Sequence, residues 1–354
     1  MTIRNFVVIL IFSCLTLSIA AHASCNGTPV ENYGAVGNGT TDDTSAIQSA
    51  ITAVAANGGG SVVLSVKRYY TTGTFSLPTG VVLCGTAEGP FDLPYINPGT
   101  TTIAPTLLVT NTSSTFITLS GPNAGVTDIL FYYPNQAAPT ASAPISYPWT
   151  IVVNQPGAKI RRCTAVNAYQ FLNIEVGRVA AEDLVIGGFL FGIYVDNAYD
   201  HVTINNIIQS TVWDFPYNLP LPTNLDTWAY NHGTGFAILH ADNINIHNVL
   251  VYYRSSGFFL TGTSSGYGLA SDIDLDSVGW GIVAQSSNPA GYKFTNIEIA
   301  AAYSGVNFMS GGTPPPTVEI NGGSITGTLL GGAFPPIPTP FGKLVVVNVL
   351  GYDK

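Results

Sequence analysis

Residues 213–233, WDFPYNLPLPTNLDTWAYNHG, concentrate side chains suited to acid–base chemistry on a glycosidic bond. Asp214 and Asp226 can serve as a general acid and a general base, because hydrolysis of such a bond uses two carboxyl groups roughly 5–10 Å apart. His232 adds an imidazole base, and Arg254 adds a cation shortly afterwards. These four residues are the candidate catalytic set.

A lyase would need a different set of groups. It requires a base, together with a cation or calcium that offsets the carboxylate of a uronate. His232, Arg254 and Lys293 are the candidates, and Tyr230 or Tyr253 could supply a proton. Hydrolase and lyase therefore both stay open, and no cofactor is predicted except calcium in the case of a lyase.

Aromatic side chains accompany these acids. Aromatic faces stack on sugar rings, so we predict a substrate-binding role for four of them: Trp213, Trp228, Tyr230 and Trp280. The alternative interpretation is that the tryptophans hold the loop over an apolar surface.

A short phrase recurs about every 22 residues outside this stretch. Gly followed by an apolar triplet begins at six positions: Gly192, Gly235, Gly257, Gly281, Gly305 and Gly327. The first step covers two periods and contains residues 213–233, which are therefore an insertion (210–234) into one repeat. A second phrase, such as HVTINNI or NINIHNV, alternates apolar and polar residues as a half-buried strand does.

Repeats of about 22 residues that contain only strands indicate an all-β fold, a single-stranded parallel β-helix in which each turn stacks on the next. A β-sandwich is the alternative, but no strand pair is joined by a tight Asn-Gly turn. One β-helix domain is predicted over residues 24–354. Residues 24–85 form the N-terminal cap, with a capping α-helix, and the first coils, and residues 331–354 form the C-terminal cap.

The first 23 residues have the pattern of a secretory signal peptide. Arg4 precedes an apolar run, and Ala21-His22-Ala23 gives a small-x-small cleavage site. We therefore expect a secreted or periplasmic protein with no membrane attachment after cleavage. Cys25, Cys84 and Cys163 remain, so at most one disulfide forms. Cys25–Cys84 is the pairing that would join the N-terminal segment to the body.

The composition argues against some partners. The net charge is −9 and Lys plus Arg number only 11, so the chain is poorly suited to nucleic acid or anionic membranes. A polysaccharide or oligosaccharide is the expected partner, and the oligomeric state stays open. Asp272, Asp274 and Asp276 are spaced like calcium ligands, but we predict no metal site there.

The stretch NYGAVGNGTTDDTSAIQSAI, residues 32–51, resembles the opening motif of the pectate-lyase-like superfamily, in the branch of rhamnogalacturonases, certain epimerases and phage tailspikes. Asn38 stands where that motif more often has Asp. The resemblance covers residues 32–85 and implies a right-handed parallel β-helix that acts on carbohydrate. Asp42 and Asp43 lie at a helix start, where they are expected to cap the helix.

Polygalacturonase-like relatives carry Asn-Thr-Asp, Asp-Asp, Gly-His-Gly and Arg-Ile-Lys motifs just before or on the triplet strands. Here those places offer only His232, Arg254 and Trp280, so that specific activity is not transferred. Alternation predicts an inward row of Ile193, Phe236, Phe258, Ile282 and Val306. The outward row is then mostly apolar, and the insertion is expected to cover it: Tyr194, Ala237, Phe259, Val283 and Asn307.

These features predict a secreted carbohydrate-active protein that cleaves glycosidic bonds in a polysaccharide such as a pectin-like glycan. The alternative is a non-catalytic secreted β-helix that binds glycan or a cell-surface partner. The missing family catalytic set is the reason to keep that alternative.

Overall fold

The structure is a computed structural model that describes residues 25–87, 100–137, 142–210, 223–262, 266–287, 290–309, 315–326 and 343–352. The predicted signal peptide and most of residues 331–354 lie outside these ranges. Within them, two α-helices accompany 21 strands. The helices are α1 (Thr44–Ala56) and α2 (Thr223–His232). No helix in the described ranges is long and apolar enough to cross a membrane.

The strands are numbered in chain order. They are β1 (Thr28–Pro29), β2 (Asn38–Asp42), β3 (Gly60–Leu64), β4 (Arg68–Thr71), β5 (Phe75–Leu77), β6 (Val81–Gly85), β7 (Thr106–Val109), β8 (Ile117–Leu119), β9 (Gly125–Thr127), β10 (Leu130–Tyr132), β11 (Ile151–Val153), β12 (Lys159–Ile174), β13 (Val179–Val195), β14 (Val202–Gln209), β15 (Thr234–Ile238), β16 (Asp242–Tyr252), β17 (Ser256–Leu260), β18 (Tyr267–Ala284), β19 (Tyr292–Phe308), β20 (Thr317–Thr326) and β21 (Lys343–Tyr352).

Every recorded strand pairing is parallel, and each coil lies on the one before it. The triplet strands pair in the order β11, β12, β13, β15, β17, β18 and β19. The second phrases pair in the order β12, β13, β14, β16, β18, β19 and β20. We call these two stacks the triplet sheet and the second sheet. The long strands β12, β13, β18 and β19 turn a corner and contribute to both.

The inward row is confirmed. Ile193, Phe236, Phe258, Ile282 and Val306 are completely buried in one core that runs along the solenoid. The rings of Phe236 and Phe258 stack face to face at 4.8 Å. Apolar residues at the same position of successive coils therefore form a continuous ladder, and burial of such side chains contributes about 1.5–3 kcal/mol each.

Close packing explains the glycine that opens each triplet. A Cβ added at Gly235 would lie 2.8 Å from the carbonyl oxygen of Gly257, and one added at Gly257 would lie 2.9 Å from that of Gly281. Each glycine thus lets the next coil approach, which a side chain would prevent.

A left-handed residue bends every coil of the second sheet at one position. The column has φ between 46° and 79° and consists of Asp128, Arg162, Asp183, Asn206, Asn248, Asp272, Asn296 and Gly322. Neighbouring members are joined by side-chain bonds, as when Asn248 donates to Asn206 at 3.0 Å. Asn and Asp tolerate this backbone and Gly adopts it freely. Asp272 is therefore the residue of its coil, within β18, that takes the left-handed bend.

Helix α1 buries Ile47, Ala50, Ile51 and Val54 in the main core. Asp43 is the N-cap residue, but its side chain makes no capping hydrogen bond, so the expected capping by Asp43 is wrong. Asp42 accepts hydrogen bonds from the Thr44 backbone and hydroxyl, and Asp43 accepts them from the Val36 and Gly37 amides. Both motif acids thus order the backbone at this end of the chain.

Cys25 and Cys84 form a disulfide with their Cα atoms 6.1 Å apart, whereas Cys163 is free and buried. The bond closes a loop of 59 residues, and cross-linking a long loop restricts the unfolded chain.

We expect the Cys25→Ser/Cys84→Ser double variant to lose about 2–5 kcal/mol of unfolding free energy. The measurement is the urea midpoint by circular dichroism, before and after reduction of the parent. Cys163→Ala is the control, because the Cys163 thiol is not part of the disulfide. Reductant should shift the urea midpoint of this variant by the same amount as it shifts the midpoint of the parent. An unchanged midpoint in the double variant would contradict this role of the bond.

Candidate functional site

Helix α2, the described part of the insertion, does not lie over the row it was expected to cover. Its Leu225 and Ala229 pack instead into a second apolar cluster with Val185, Phe189 and further residues on the outer face of the second sheet: Ala104, Leu108, Leu130, Tyr132 and Val166. That outer face is apolar over several coils, so it offers α2 more surface to bury. In the predicted row, Ala237 and Val283 are themselves almost fully buried.

Asp226 and Arg254 lie together under α2. Arg254 is 0 % exposed and Asp226 is 9 % exposed. Burial lowers the pKa of Arg254 to about 9, and the charge of Asp226 opposes that shift. An Arg254 Nη1–H also donates to the Phe189 carbonyl at 3.4 Å. Their catalytic role stays a prediction, but a substrate would have to displace α2 to reach either residue.

His232 and Trp228 are paired at the C-terminal end of α2. Their rings stack at 4.4 Å, and Nδ1 of His232 lies 2.8 Å from the Trp228 carbonyl oxygen. Trp228 also packs against Tyr169. Asp214 and Trp213 lie outside the described residues, so their predicted roles stay predictions.

Tyr230 and Trp280, two of the predicted sugar-binding residues, belong to one aromatic patch. Tyr230 packs on Tyr253 at 4.8 Å, and Trp280 packs on Tyr303 at 5.1 Å. Burial raises the pKa of Tyr230, as do the neighbouring Tyr303 and Tyr253. Tyr303 is 56 % exposed, so the patch opens to solvent. We call Tyr230, Tyr253, Trp280 and Tyr303 the distal patch.

A second group of acid–base residues lies where the triplet strands end. Glu175 and Asp196 follow β12 and β13 directly, and their amides donate to the Val153 and Ile174 carbonyls. They therefore occupy the same position in successive coils. Nδ1 of His240 lies 2.5 Å from Oδ1 of Asp196, and both side chains are half-buried.

Tyr194 stands on the outer face of the triplet sheet beside these carboxylates. Burial raises its pKa, and the charges of Asp196 and Glu175 raise it further, so the phenol stays protonated as a hydrogen-bond donor. On the preceding coil Asn173, paired in register with Tyr194, donates to Oε1 of Glu175 at 2.8 Å. We call four of these residues the acid cluster: Glu175, Asp196, Tyr194 and His240. Asn173 supports Glu175.

Aromatic rings flank the acid cluster. Trp149 stacks on Phe191 at 5.9 Å and tilts against Tyr194 at 5.6 Å. These half-buried rings present apolar faces next to carboxylates, the combination that binds and activates a sugar. The distal patch lies at the other end of the triplet strands: Phe191, Thr234, Ser256 and Trp280 are successive partners at the strand starts, and Trp280 is three coils, or about 14 Å, from Phe191 along the axis.

Sequence reasoning missed the acid cluster because it looked before and on the triplet strands. Glu175 and Asp196 lie one residue after the strand, and His240 lies two residues after it. A pattern was available: the acids stand 21 residues apart, one repeat, directly after QFLNI and GIYV. Their approach to His240 was not readable, because the insertion separates His240 from them in the chain.

A groove of about 570 Å³ follows the second sheet. Asp274 and Glu298 line it as in-register neighbours. Burial raises the pKa of Asp274, and the charges of Asp276 and Glu298 raise it further. Asp272 lines the same groove as Asp274, and the charge of Asp276 acts on Asp274. In the described ranges, no group of three or more His, Cys, Asp or Glu is arranged to hold a metal ion.

Comparison with known proteins agrees with this architecture. A family model described as rhamnogalacturonase A/epimerase, pectate lyase-like, matches residues 28–138. Residues 28–138 are thus similar to this pectate-lyase-like family, in agreement with the motif at residues 32–51. No curated protein sequence matches it.

Solved structures share the fold of this chain at low identity. The A-module of the mannuronan C-5 epimerase AlgE4 from Azotobacter vinelandii is 15 % identical with a TM-score of 0.50, over 93 % of this chain and 97 % of that one. A tailspike of E. coli bacteriophage HK620, in complex with a pentasaccharide, is 11 % identical with a TM-score of 0.57. That match covers 91 % of this chain and 65 % of the tailspike chain.

The buried pair under α2 can be tested by a double-mutant cycle. We expect Arg254→Met to cost about 3–5 kcal/mol, because it leaves the Asp226 carboxylate buried without its cation. Asp226→Leu added to Arg254→Met should recover much of that loss. The free energy of unfolding of each variant is measured with urea. If the losses of the two substitutions simply add in the double variant, the two side chains are not coupled.

Proposed function

We propose that the protein is a carbohydrate-active enzyme that cleaves glycosidic bonds in a polysaccharide at the acid cluster. The observation that carries the proposal is the position of Glu175 and Asp196 on successive coils, with Tyr194 and His240 beside them. The fold, which this chain shares with a tailspike solved in complex with a pentasaccharide, supports carbohydrate as the ligand. Glu175 and Asp196 mark the site at which we propose cleavage.

The spacing of the two acids suits cleavage. Neighbouring parallel strands lie roughly 4.8 Å apart, so two carboxyl groups one coil apart can reach the two sides of one glycosidic bond. One carboxyl group protonates the departing oxygen while the other, at this short spacing, attacks the anomeric carbon. Asn173 orients Glu175 and His240 orients Asp196, so both acids have a fixed geometry.

Tyr194 stabilises the reacting sugar. Its protonated phenol donates a hydrogen bond between the two acids, where oxygen atoms of the substrate would lie. Trp149 and Phe191 form the platform on which a ring rests. The distal patch, three coils further along, binds another part of the same chain, which favours a polymer over a small glycoside.

Export to an oxidising compartment belongs to the proposal. The signal-peptide pattern of residues 1–23 supports it, as does the disulfide between Cys25 and Cys84, because such bonds persist mainly outside the cytosol.

Non-catalytic glycan binding is the second candidate. The exposed distal patch favours it, because aromatic residues there can hold a sugar without any acid nearby. A binder would retain affinity when the acid cluster is neutralised, whereas an enzyme would lose turnover.

We expect Glu175→Gln and Asp196→Asn each to lower kcat by about 10²–10⁴-fold on a cleaved polysaccharide, since each removes an acid–base group. New reducing ends and unsaturated products are measured across pH. The matched control is Asp200→Asn, an exposed acid on the turn after Asp196 that pairs with Arg178. Equal activity in all three variants, or no product from any polysaccharide, would count against the proposal.

Trp280→Ala tests the distal patch. We expect KM for a long chain to rise about tenfold, from loss of roughly 1–2 kcal/mol of ring contact, while kcat stays the same. A short oligosaccharide that does not reach the patch should show no change. Val66→Ala is the control, because Val66 is an exposed side chain of the first coils. An equal loss on short and long substrates would refute a distal subsite.

A further inference from the structure

We infer that the acid cluster takes an uncharged glycan and not a polyuronate. This inference rests on the proposed function and narrows it to a substrate class. It differs from the pectin-like substrate that the sequence resemblance implied, and it follows from where the cations of this chain lie.

The acid cluster carries more negative than positive charge. Glu175 and Asp196 lie on successive coils, and only Asp196 has an imidazole partner, His240. Glu175 receives a neutral amide donor from Asn173. The charges of Asp196 and Glu175 both raise the pKa of Tyr194, as a negative potential between them requires. A uronate carboxylate placed here would meet charge of its own sign.

The triplet strands and the turns that follow them contain a single Lys or Arg, Arg178. Nε of Arg178 already lies 2.7 Å from Asp200. The parts of the chain outside the described ranges contain two Lys or Arg residues, Arg4 in the predicted signal peptide and Lys354.

Of the eight other Lys and Arg residues in the described ranges, at least five face carboxylates elsewhere. Four of these cations form ion pairs: Lys67 with Glu31, Arg161 with Glu182, Arg162 with Asp128, and Lys293 with Glu319. Arg254 is buried under α2 beside Asp226. With Arg178, at least six of the nine Lys and Arg residues in the described ranges thus face the chain's own acids, and a polyuronate would need several cations along one edge.

The reaction class follows from the substrate class. An uncharged sugar has no carboxylate to acidify its C5 proton, so elimination is not available to it. Cleavage then proceeds by hydrolysis. One carboxylate bonds to the anomeric carbon as the glycosidic C–O bond breaks and the departing oxygen takes a proton from the other carboxyl group. Water then gives a proton to that second group, its oxygen bonds to the anomeric carbon, and the bond to the first carboxylate breaks.

The experiment compares two series of equal length on the full secreted chain. Galactan, mannan and xylan oligosaccharides represent uncharged glycans, and oligogalacturonate and oligoalginate represent uronates. Calorimetric affinity and release of reducing ends are measured with and without calcium. We expect the best uncharged ligand to bind at least about tenfold more tightly than any uronate. The uronate deficit should shrink between 0.05 and 0.5 M salt, because salt screens the repulsion.

A charge variant gives the second measurement. Val152 is half-buried on the outer face of the triplet sheet and pairs in register with Asn173. We expect Val152→Lys to raise uronate affinity about tenfold and to leave the affinity for uncharged glycans within about twofold. Val66→Lys, an equal charge change on the exposed first coils, should raise neither.

Each outcome separates the two proposals. Tighter binding or faster cleavage of a uronate, with or without calcium, overturns the inference and leaves glycan cleavage standing. No gain in uronate affinity from Val152→Lys also overturns it, because charge would then not be the cause. Binding of uncharged chains without cleavage leaves the substrate class standing and overturns the proposed function. No binding by either series overturns both.

Discussion

Parallel stacking of one coil on the next, in fixed register, is the constraint on which this molecule depends. It repeats every position about 4.8 Å along the axis, so one suitable residue type per position must recur. Inward positions are apolar, as at Phe236 and Phe258. The glycine that opens each triplet leaves room for the next coil. The left-handed bend takes Asn, Asp or Gly on most coils. Chemistry is then confined to the few positions that this repetition leaves free.

The ends of the triplet strands are such positions. A strand interior alternates between core and solvent and must serve the ladder, whereas the residue after it serves only the turn. Glu175 and Asp196 use that freedom, and the register alone brings them to one edge. His240 reaches Asp196 because the insertion between them in the chain adds residues without adding a coil. The scaffold thus supplies the spacing of the acids, and single side chains supply their orientation.

Periodicity predicted the parallel strands and the inward row, since both are properties of each repeat taken alone. Residue type, rather than periodicity, identified Tyr230 and Trp280 as aromatic residues of interest, and these two share one patch. The position of α2 could not be derived that way. It depends on which outer face offers apolar area, and Val185 and Phe189 lie on the second sheet. The same docking buries Asp226 and Arg254, which looked accessible because a loop insertion is ordinarily exposed.

The charge balance links fold and function. A ladder fold needs few charges, and this chain has only 9 % charged residues. Most of its cations are used locally, as Arg162 is in the left-handed column beside Asp128. A β-helix that binds a polyuronate must instead keep cations without acid partners along its binding edge, where these cations repel one another. At the acid cluster of this chain, the net charge of the side chains is instead negative. The charges that remain unmatched suit proton transfer to and from hydroxyl-rich chains better than the neutralisation of acidic ones.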